Sequence, residues 1–235
     1  MEGDREFVVQ EPAEGILERV QAVFDRGRLV AIHGYRQISE GLGGGDIAKL
    51  SVIRSNVRDY VNRLGDELQW HGALPLDYIL QRENQTPLFI DANPRLVESM
   101  NAVFSGVNLA DILVRVSTGE PVAAIDPSGR ELQTHMLLMA LLSKAAGRPR
   151  RLDVIAELMR AIAGRGPYAR SREELLPVRI DFKCLFPLGY VLTQLLLNPR
   201  SATALSTGSI TSYSLSPGAA RQIAERGAAS PGRAQ

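Results

Sequence analysis

The chain has 235 residues, 45% of them hydrophobic and 23% charged, and its formal net charge is +1 at pH 7. This composition is ordinary for a soluble globular protein and provides no basic stripe, so we expect no nucleic-acid partner. The single cysteine, Cys184, excludes an internal disulfide and fits a reducing cytoplasm, and the charged start is unlike a secretory signal. The most apolar run, residues 182–197, is shorter than the roughly 20 residues that cross a bilayer, so no membrane partner is expected.

The first 50 residues indicate an antiparallel meander. Residues 6–11 form a short predicted strand and residues 16–24 a second one, which a glycine-containing turn at 25–27 connects to a third at 29–38. The glycine run at 41–46 predicts a flexible loop that lacks the Gly-Lys-Ser/Thr ending of a phosphate-binding P-loop. Lys49 either accompanies a nucleotide at this loop or is a solvated lysine.

Three helices are predicted around the following hairpin. Residues 54–68 carry apolar side chains at helical spacing, which would bury one face against the sheet. Residues 96–104 and 108–118 are the other two, the last with Asn108 as its N-cap. Helices on an antiparallel sheet give an α+β fold.

The hairpin at 70–95 contains the most specific chemistry of the chain. Its predicted strands, 72–81 and 87–93, are joined by a polar turn at 82–85. If the turn is centred on Asn84, Asp77 lies directly across from Asp91. Facing carboxylates repel each other, so this pair and Asn93 predict a bound cation.

Oxygen ligands from few protein groups suit Mg²⁺, which takes its remaining ligands from water and phosphate. Arg95, just beyond the second strand, would provide a planar anion donor beside that cation. The alternative is an ordinary hairpin whose outward face is polar. The three histidines, His33, His71 and His135, have no metal-ligand spacing and are interpreted as structural.

The composition changes at residues 126–129, where we predict a domain boundary. Residues 1–126 would form the α+β domain and residues 127–225 a mainly helical extension packed on it, with a disordered tail at 226–235. Helices are predicted at 131–146, 152–163 and 182–197.

The hairpin sequence Phe-Ile-Asp91-Ala-Asn93-Pro-Arg95, preceded by Asp77, resembles the metal-binding end of an ATP-grasp domain of the carboxylate–amine ligase or carbamoyl-phosphate-synthase-like type. That family usually reads an acid, about a dozen residues, and then Glu-x-Asn-Pro-Arg, so Asp91 stands where Glu is commoner. The resemblance covers about residues 6–123 and includes the segment 8–15, which is similar to the family's hinge strand.

The resemblance implies an ATP- and Mg²⁺-dependent ligase, with Mn²⁺ as a possible substitute metal. A carboxylate would be activated as an acyl phosphate and then attacked by an amine or a similar nucleophile. By the same resemblance Asp77, Asp91 and Asn93 would bind the metal and Arg95 would be catalytic. ATP would contact Gln10 and Glu11 at the hinge, and Ile79 and Ile90 beside the metal.

The chain begins at the hinge strand, so the family's earlier half, with its phosphate-binding lysines, is expected from a separate chain or a longer gene product. Three interpretations remain open. The chain is the C-terminal part of a ligase, a non-catalytic nucleotide- or partner-binding module that keeps the fold, or an interaction protein that acts through its helical half.

Overall fold

An eight-stranded sheet lies at the centre of the residues that the computed structural model describes, 11–52, 54–125, 131–178 and 181–206. Its strands are β1 (Ile16–Asp25), β2 (Arg28–Glu40), β3 (Asp46–Val52), β4 (Gly72–Ala73), β5 (Leu76–Leu80), β6 (Pro87–Ala92), β7 (Gln133–His135) and β8 (Arg172–Glu173). The helices are α1 (Ser55–Glu67), α2 (Met100–Phe104), α3 (Leu109–Ser117), α4 (Leu137–Gly147), α5 (Arg151–Ile162) and α6 (Leu185–Leu197). Short 3-10 turns cover Leu42–Gly44, Gly166–Tyr168, Phe182–Cys184 and Pro199–Ser201.

The strand order is β6-β5-β1-β2-β3-β7-β8, with β4 pairing beside β5 on β1. Neighbouring strands are antiparallel except β7 and β8, which are parallel. The predicted α+β class is therefore confirmed, and the predicted antiparallel sheet is a mixed one because of this edge pair.

Helix α1 covers one face of the sheet. Alternate residues of β1 and β5 point toward it and form a buried apolar cluster with Val57 and Val61 of the helix. Gly65 lets α1 approach closely, because a Cβ at this position would overlap the ring of Phe24. The predicted helix at 54–68 is confirmed as α1, with Val57 and Val61 buried as expected, whereas Tyr60 and Leu68 of its apolar face are exposed.

The opposite face of the sheet is apolar at one end and polar at the other. Helices α2 and α3 cover the apolar end, where Ile112 and Val116 pack on Val23 and Ala31. Helix α3 begins at its predicted cap, since Asn108 Oδ1 accepts a hydrogen bond from the Asp111 backbone N–H at 3.2 Å. The polar end carries the candidate site.

Helices α4, α5 and α6 pack around an apolar cluster of their own that includes Leu141, Val154 and Leu195. Strands β7 and β8 come from the same part of the sequence, beyond the predicted domain boundary, and they extend the main sheet. The division at 126/127 stays a prediction. No helix among the described residues combines the length and apolarity needed to cross a membrane.

Several element boundaries differ from the predicted ones for reasons visible in the backbone. The predicted strand 72–81 is divided into β4 and β5 at Pro75, which has no N–H to donate. The predicted helix 96–104 is restricted to α2, because Gln21 binds the backbone of Val97 and Glu98 in a non-helical loop.

The predicted helix 131–146 begins with a strand instead. Residues Gln133–His135 pair with Ala48–Leu50 of β3, and the helix starts only at Leu137. Strand β3 itself was not predicted, because Lys49 and Ser51 place polar groups on its buried positions. The tail at 226–235 and residues 6–10 of the first predicted strand lie outside the described residues.

Candidate functional site

A row of polar side chains crosses four strands at the polar end of the sheet, from the exposed Asp91 to the buried Tyr35. Asp91 of β6 is opposite Asp77 of β5, Asp77 is opposite Arg19 of β1, and Arg19 is opposite Tyr35 of β2. Directly opposed residues on antiparallel strands share one face of the sheet. The predicted opposition of Asp77 and Asp91 is confirmed.

A β-bulge in β6 produces this register. Equal offsets about Asn84 would place Tyr78 opposite Ile90, whereas Tyr78 is opposite Phe89. Ile90 is the extra residue, and beyond it the pairing returns to the predicted one at Asp91. Phe89 thereby remains on the α1 face, where its ring packs against those of Tyr78 and Tyr60 at centroid distances of 5.7 and 6.4 Å.

Arg19 joins two acidic groups on the polar row. Its Nε donates to Asp77 Oδ2 at 3.2 Å, and its Nη1 donates to Asp46 Oδ1 at 2.9 Å. Gln37 Nε2 also donates to Asp46, at 2.6 Å. The Asp77 carboxylate is thus balanced by a guanidinium of the same chain.

Burial raises the pKa of Asp77 above its ordinary value, while the neighbouring Arg19 opposes the rise and the charge of Asp91 adds to it. The net direction shows that Arg19 does not fully compensate for desolvation and for the facing carboxylate. A further positive charge near Asp77 and Asp91 would therefore be favourable.

Asn93 holds the exposed carboxylate of Asp91. The Asn93 Nδ2 donates to Asp91 Oδ2 at 2.8 Å, and the Asn93 backbone N–H donates to the Pro75 carbonyl at 2.9 Å. The second bond fixes the end of β6 to the interruption between β4 and β5. The three predicted metal ligands are therefore brought to one end of the hairpin.

The donor set suits one hard cation. Asp77 and Asp91 offer carboxylate oxygens and Asn93 an amide oxygen, which are the ligand types that Mg²⁺ takes. The described residues include no group of three or more His, Cys, Asp or Glu side chains arranged to hold a metal. A cation at this site would therefore have two carboxylate ligands and would need the remaining ones from an amide, water or phosphate.

The other predicted residues are distributed along the hairpin. Arg95 is exposed beyond β6, where its Nη1 lies 3.5 Å from the Leu96 carbonyl. Ile79 shares the face of Asp77, two residues along β5, whereas the bulge residue Ile90 is 57% exposed.

Glu11, the described one of the two predicted hinge residues, lies away from the acidic pair. Glu11 lines a cavity of about 600 Å³ beside the β5–β6 turn, at the opposite end of the hairpin from Asp91. Gln10 lies outside the described residues.

Lys49 is the residue whose environment differs most from its sequence interpretation. Its side chain is fully buried rather than solvated, and its Nζ contacts Glu98 at 2.8 Å, Glu174 at 3.1 Å and Asp46 at 3.9 Å. Lys49 also lies over the Tyr35 ring, 5.1 Å from its centroid. Asp46 connects this lysine to Arg19, so both cations belong to one charged network.

The network continues into the core through hydroxyl and amide groups. Glu174 accepts a hydrogen bond from Thr134 Oγ1, which in turn accepts from Asn101 Nδ2 at 2.7 Å. Asn101 Oδ1 accepts from Ser51 Oγ at 3.0 Å. His33 Nε2 lies 3.3 Å from Ser51 Oγ at the far end of this chain.

Sequence reasoning did not find Arg19, Asp46, Glu98 or Glu174. Glu174 is 125 residues from Lys49 and Arg19 is 58 residues from Asp77, so no local motif connects them. The available signal was the alternation of β1, which places Arg19 on its polar face. That alternation identifies the partners of Arg19 only when the strand order is known.

No protein-family model and no curated protein matches the sequence. Among solved structures, the chain is similar to the biotin carboxylase subunit of pyruvate carboxylase, with 14% identity over 50% of this chain and 28% of that chain, at a TM-score of 0.41. The phosphoribosylaminoimidazole carboxylase ATPase subunit from Aquifex aeolicus matches with 16% identity over 50% of this chain and 38% of its own, at 0.41.

The N5-carboxyaminoimidazole ribonucleotide synthetase from Thermus thermophilus matches at a TM-score of 0.38, with 17% identity over 50% of this chain and 34% of its own. The chain thus spans well under half the length of each of these three proteins.

Proposed function

We propose that the polar end of the hairpin binds Mg²⁺ together with ATP, and that the chain is the C-terminal part of an ATP-dependent ligase. The observation that carries this proposal is the confirmed register, which faces Asp77 with Asp91 and holds Asn93 beside them. The sequence motif Asp-x-Asn-Pro-Arg, through its resemblance to the metal-binding end of an ATP-grasp domain, supports Mg²⁺ with ATP as the ligand. The reaction class is carboxylate activation as an acyl phosphate, followed by attack of an amine.

Asp91 and Asn93 would hold the metal from the exposed side, and Asp77 from the half-buried side. When bound, Mg²⁺ neutralises charge on the phosphate oxygens of the nucleotide. Arg95 is exposed and, among the described residues, its guanidinium contacts one backbone carbonyl at 3.5 Å, so it would be available to a transferring phosphoryl group. The amine and carboxylate substrates would come from the side of the sheet that Arg19 and Tyr35 face.

The position of Arg19 limits the proposed site to a single divalent cation. Its guanidinium already occupies one side of the Asp77 carboxylate and is fixed there by Asp46. A second metal on that side would meet the arginine charge. We therefore propose one Mg²⁺ between Asp77 and Asp91.

The second candidate function is a non-catalytic nucleotide- or partner-binding module with the same fold. The observation that favours it is the environment of Lys49, which is fully buried and contacts three carboxylates. In this arrangement Lys49 offers no free charge to a substrate. Hydroxamate formed from ATP, a carboxylate and hydroxylamine would rule out the binding module, because such a module forms no acyl phosphate.

Calorimetric titration with Mg²⁺ and a non-hydrolysable ATP analogue tests the binding site. The wild-type chain should bind, and Asp91→Asn should weaken binding at least about tenfold, since it removes one charged ligand. Asp59→Asn on the exposed face of α1 is the matched control and should bind like wild type. Equal binding by wild type and Asp91→Asn would refute the proposed site.

A further inference from the structure

Three exposed aromatic side chains lie along helix α6 and the 3-10 turn that precedes it. Phe182 in the 3-10 turn before α6 is 66% exposed, and Phe186 and Tyr190 of α6 are 73% and 59% exposed. Their spacing of four residues places them on one side of the helical segment. Leu197, at the end of α6, extends this side and is also exposed. We refer to these four residues as the α6 apolar face.

This face is distinct from the side of α6 that belongs to the core. Leu188, Val191 and Leu192 pack toward α4 and α5 around the buried Leu195. Helix α6 is therefore apolar on both sides, and from Leu185 to Leu197 it contains no charged residue. A helix whose exposed side is also apolar lacks the usual polar surface of a globular protein.

Cations surround the end of the α6 apolar face. Leu197 and the exposed Leu152 of α5 line a shared cavity of about 490 Å³ together with Arg150, Arg151 and Arg200. Arg151 donates to the Leu196 and Leu197 carbonyls at 2.6 and 2.9 Å, which attaches the start of α5 to the end of α6. Among the described residues, no carboxylate lies within ion-pair distance of these three arginines.

The sequence around the cavity and the helix is basic overall. Five cations occur in segments 147–152 and 181–200, namely Arg148, Arg150, Arg151, Lys183 and Arg200. The single acid in the two segments is Asp181, which accepts a hydrogen bond from the Lys183 backbone N–H at 2.9 Å. Exposed aromatic and leucine side chains beside unpaired cations are the pattern of helices that lie in an anionic membrane interface.

We propose that the α6 apolar face docks on an anionic lipid surface. At 13 residues α6 is about 20 Å long, so it would lie in the plane of the interface with its aromatic side chains in the headgroup region. Arg150 and Arg200 would contact lipid phosphates at one end of the helix, and Lys183 at the other. The finding that no described helix can span a bilayer concerns insertion across it, whereas the proposed contact is with the surface alone.

A second copy of the chain fits the face less well. An isologous dimer brings the same patch of both copies together, so Arg150 and Arg200 of one copy would approach cations of the other, either the same two arginines or Lys183 at the opposite end of the helix. Like charges in an interface are unfavourable unless they are paired, and the two segments provide only one acid for five cations.

Vesicle sedimentation of the full chain tests the proposal. Wild type should sediment with vesicles that contain phosphatidylglycerol and not with pure phosphatidylcholine vesicles, and added salt should reduce the bound fraction. Arg150→Gln with Arg200→Gln should lower partitioning about 25-fold, at roughly fivefold for each cation. Phe186→Ser with Tyr190→Ser should lower it by about 100-fold, because two aromatic side chains lose their burial.

Arg82→Gln and Val114→Ser remove an exposed cation and an exposed apolar side chain elsewhere and should partition like wild type. Circular dichroism should show the helical content of wild type in every variant, since all the changed side chains are exposed. Absence of sedimentation with anionic vesicles would overturn the proposal. A concentration-dependent dimer that the Phe186/Tyr190 variant abolishes, without vesicle binding, would assign the face to a second copy and overturn it equally.

Discussion

Asp77 faces two charges of opposite sign, the guanidinium of Arg19 and the carboxylate of Asp91. The Asp77–Asp91 pair should respond to an additional cation. Arg19 balances the carboxylate of Asp77, whereas no cation among the described residues pairs with the carboxylate of Asp91. The net rise in the pKa of Asp77 agrees with this description, since burial and Asp91 outweigh the effect of Arg19.

Replacing Arg19 should increase the response of the protein to Mg²⁺. Arg19→Gln leaves Asp46 and Asp77 without their shared cation, which should lower the free energy of unfolding by about 1–3 kcal/mol in the absence of metal. In thermal melts, added Mg²⁺ should raise the melting temperature of this variant by more than it raises that of wild type.

Arg54→Gln is the control for this comparison. It breaks the bidentate pair with Glu18, which lies on the α1 face of the same strand. This variant should lose stability without any gain in its Mg²⁺ response. Equal Mg²⁺ responses in both variants would contradict the role of Arg19 as an internal cation.

His33 gives a second residue-level expectation, through the pH dependence of stability. Burial, with a smaller contribution from the Lys49 charge, lowers the pKa of His33 from its ordinary value to about 4, and its Nδ1 is buried without a partner among the described residues. The folded protein therefore binds a proton at His33 less tightly than the unfolded chain does. Its contribution to stability is complete above about pH 6.5 and is lost as the pH falls toward 4.

The expected loss across this window is about 3 kcal/mol of unfolding free energy. His33→Gln keeps a polar partner for Ser51 and cannot titrate, so denaturant titrations should show a shallower decline between pH 6.5 and 4. His71→Gln, the same substitution at a half-exposed ring, is the control for the change of side chain. A His33→Gln profile parallel to that of wild type would show that His33 is not the responsible group.

At the level of elements, the hairpin was the most predictable part of the site. The alternation of β5 and the polar turn predicted which residues share a face, and the opposition of Asp77 and Asp91 is confirmed. The bulge at Ile90 was not predictable, because offsets counted from a turn cannot show an inserted residue. Next to the turn, the two strands pair about the midpoint between Glu83 and Asn84 rather than about Asn84. The extra residue Ile90 then restores the predicted pairing at Asp91.

Strand β3, in contrast to the hairpin, could not be predicted from the sequence. Its buried positions include Lys49 and Ser51, whose partners come from two distant segments of the chain, one with Glu98 and Asn101 and the other with Glu174. Polar residues at buried positions conceal the period-2 pattern that identifies a strand. The sequence could therefore predict the fold class and the hairpin, but not the charged network behind it.

Helix α1 provides an expectation at this scale, because its contact with the sheet depends on one small residue. Gly65→Ala should be destabilising by about 1–3 kcal/mol, although alanine favours helices, since the added methyl group overlaps Phe24. Gly189→Ala in α6 has open space around the new methyl group and should stabilise by up to about 1 kcal/mol. Thermal melts distinguish the two signs, and a stabilising Gly65→Ala would show that α1 does not pack this closely.

At the level of the whole molecule, the part of the chain beyond residue 130 is connected to the candidate site by buried bonds. Glu174 contacts Lys49 at 3.1 Å, and Asn101 donates to Thr134 at 2.7 Å. Strands β7 and β8 also cover the β3 edge of the sheet. The two predicted domains therefore share a polar core at their contact, and their separate folding stays a prediction.

Truncation tests this coupling. A chain ending at residue 125 loses β7, β8 and Glu174, so Lys49 is left without Glu174 and Asn101 without Thr134. We expect this fragment to melt at a lower temperature than the full chain and to bind a hydrophobic dye. A dye-negative fragment with the melting temperature of the full chain would instead show two independent domains.

Thermal melts of wild type and Asp91→Asn show whether Asp77, Asp91 and Asn93 bind Mg²⁺ with ATP. Mg²⁺ with ATP at 100 times its Kd should add about 2.7 kcal/mol to the unfolding free energy of wild type, if the unfolded chain does not bind it. Asp91→Asn should lose this increment and, because it removes the repulsion across the hairpin, should be at least as stable as wild type without metal. Identical shifts in both proteins would contradict the claim.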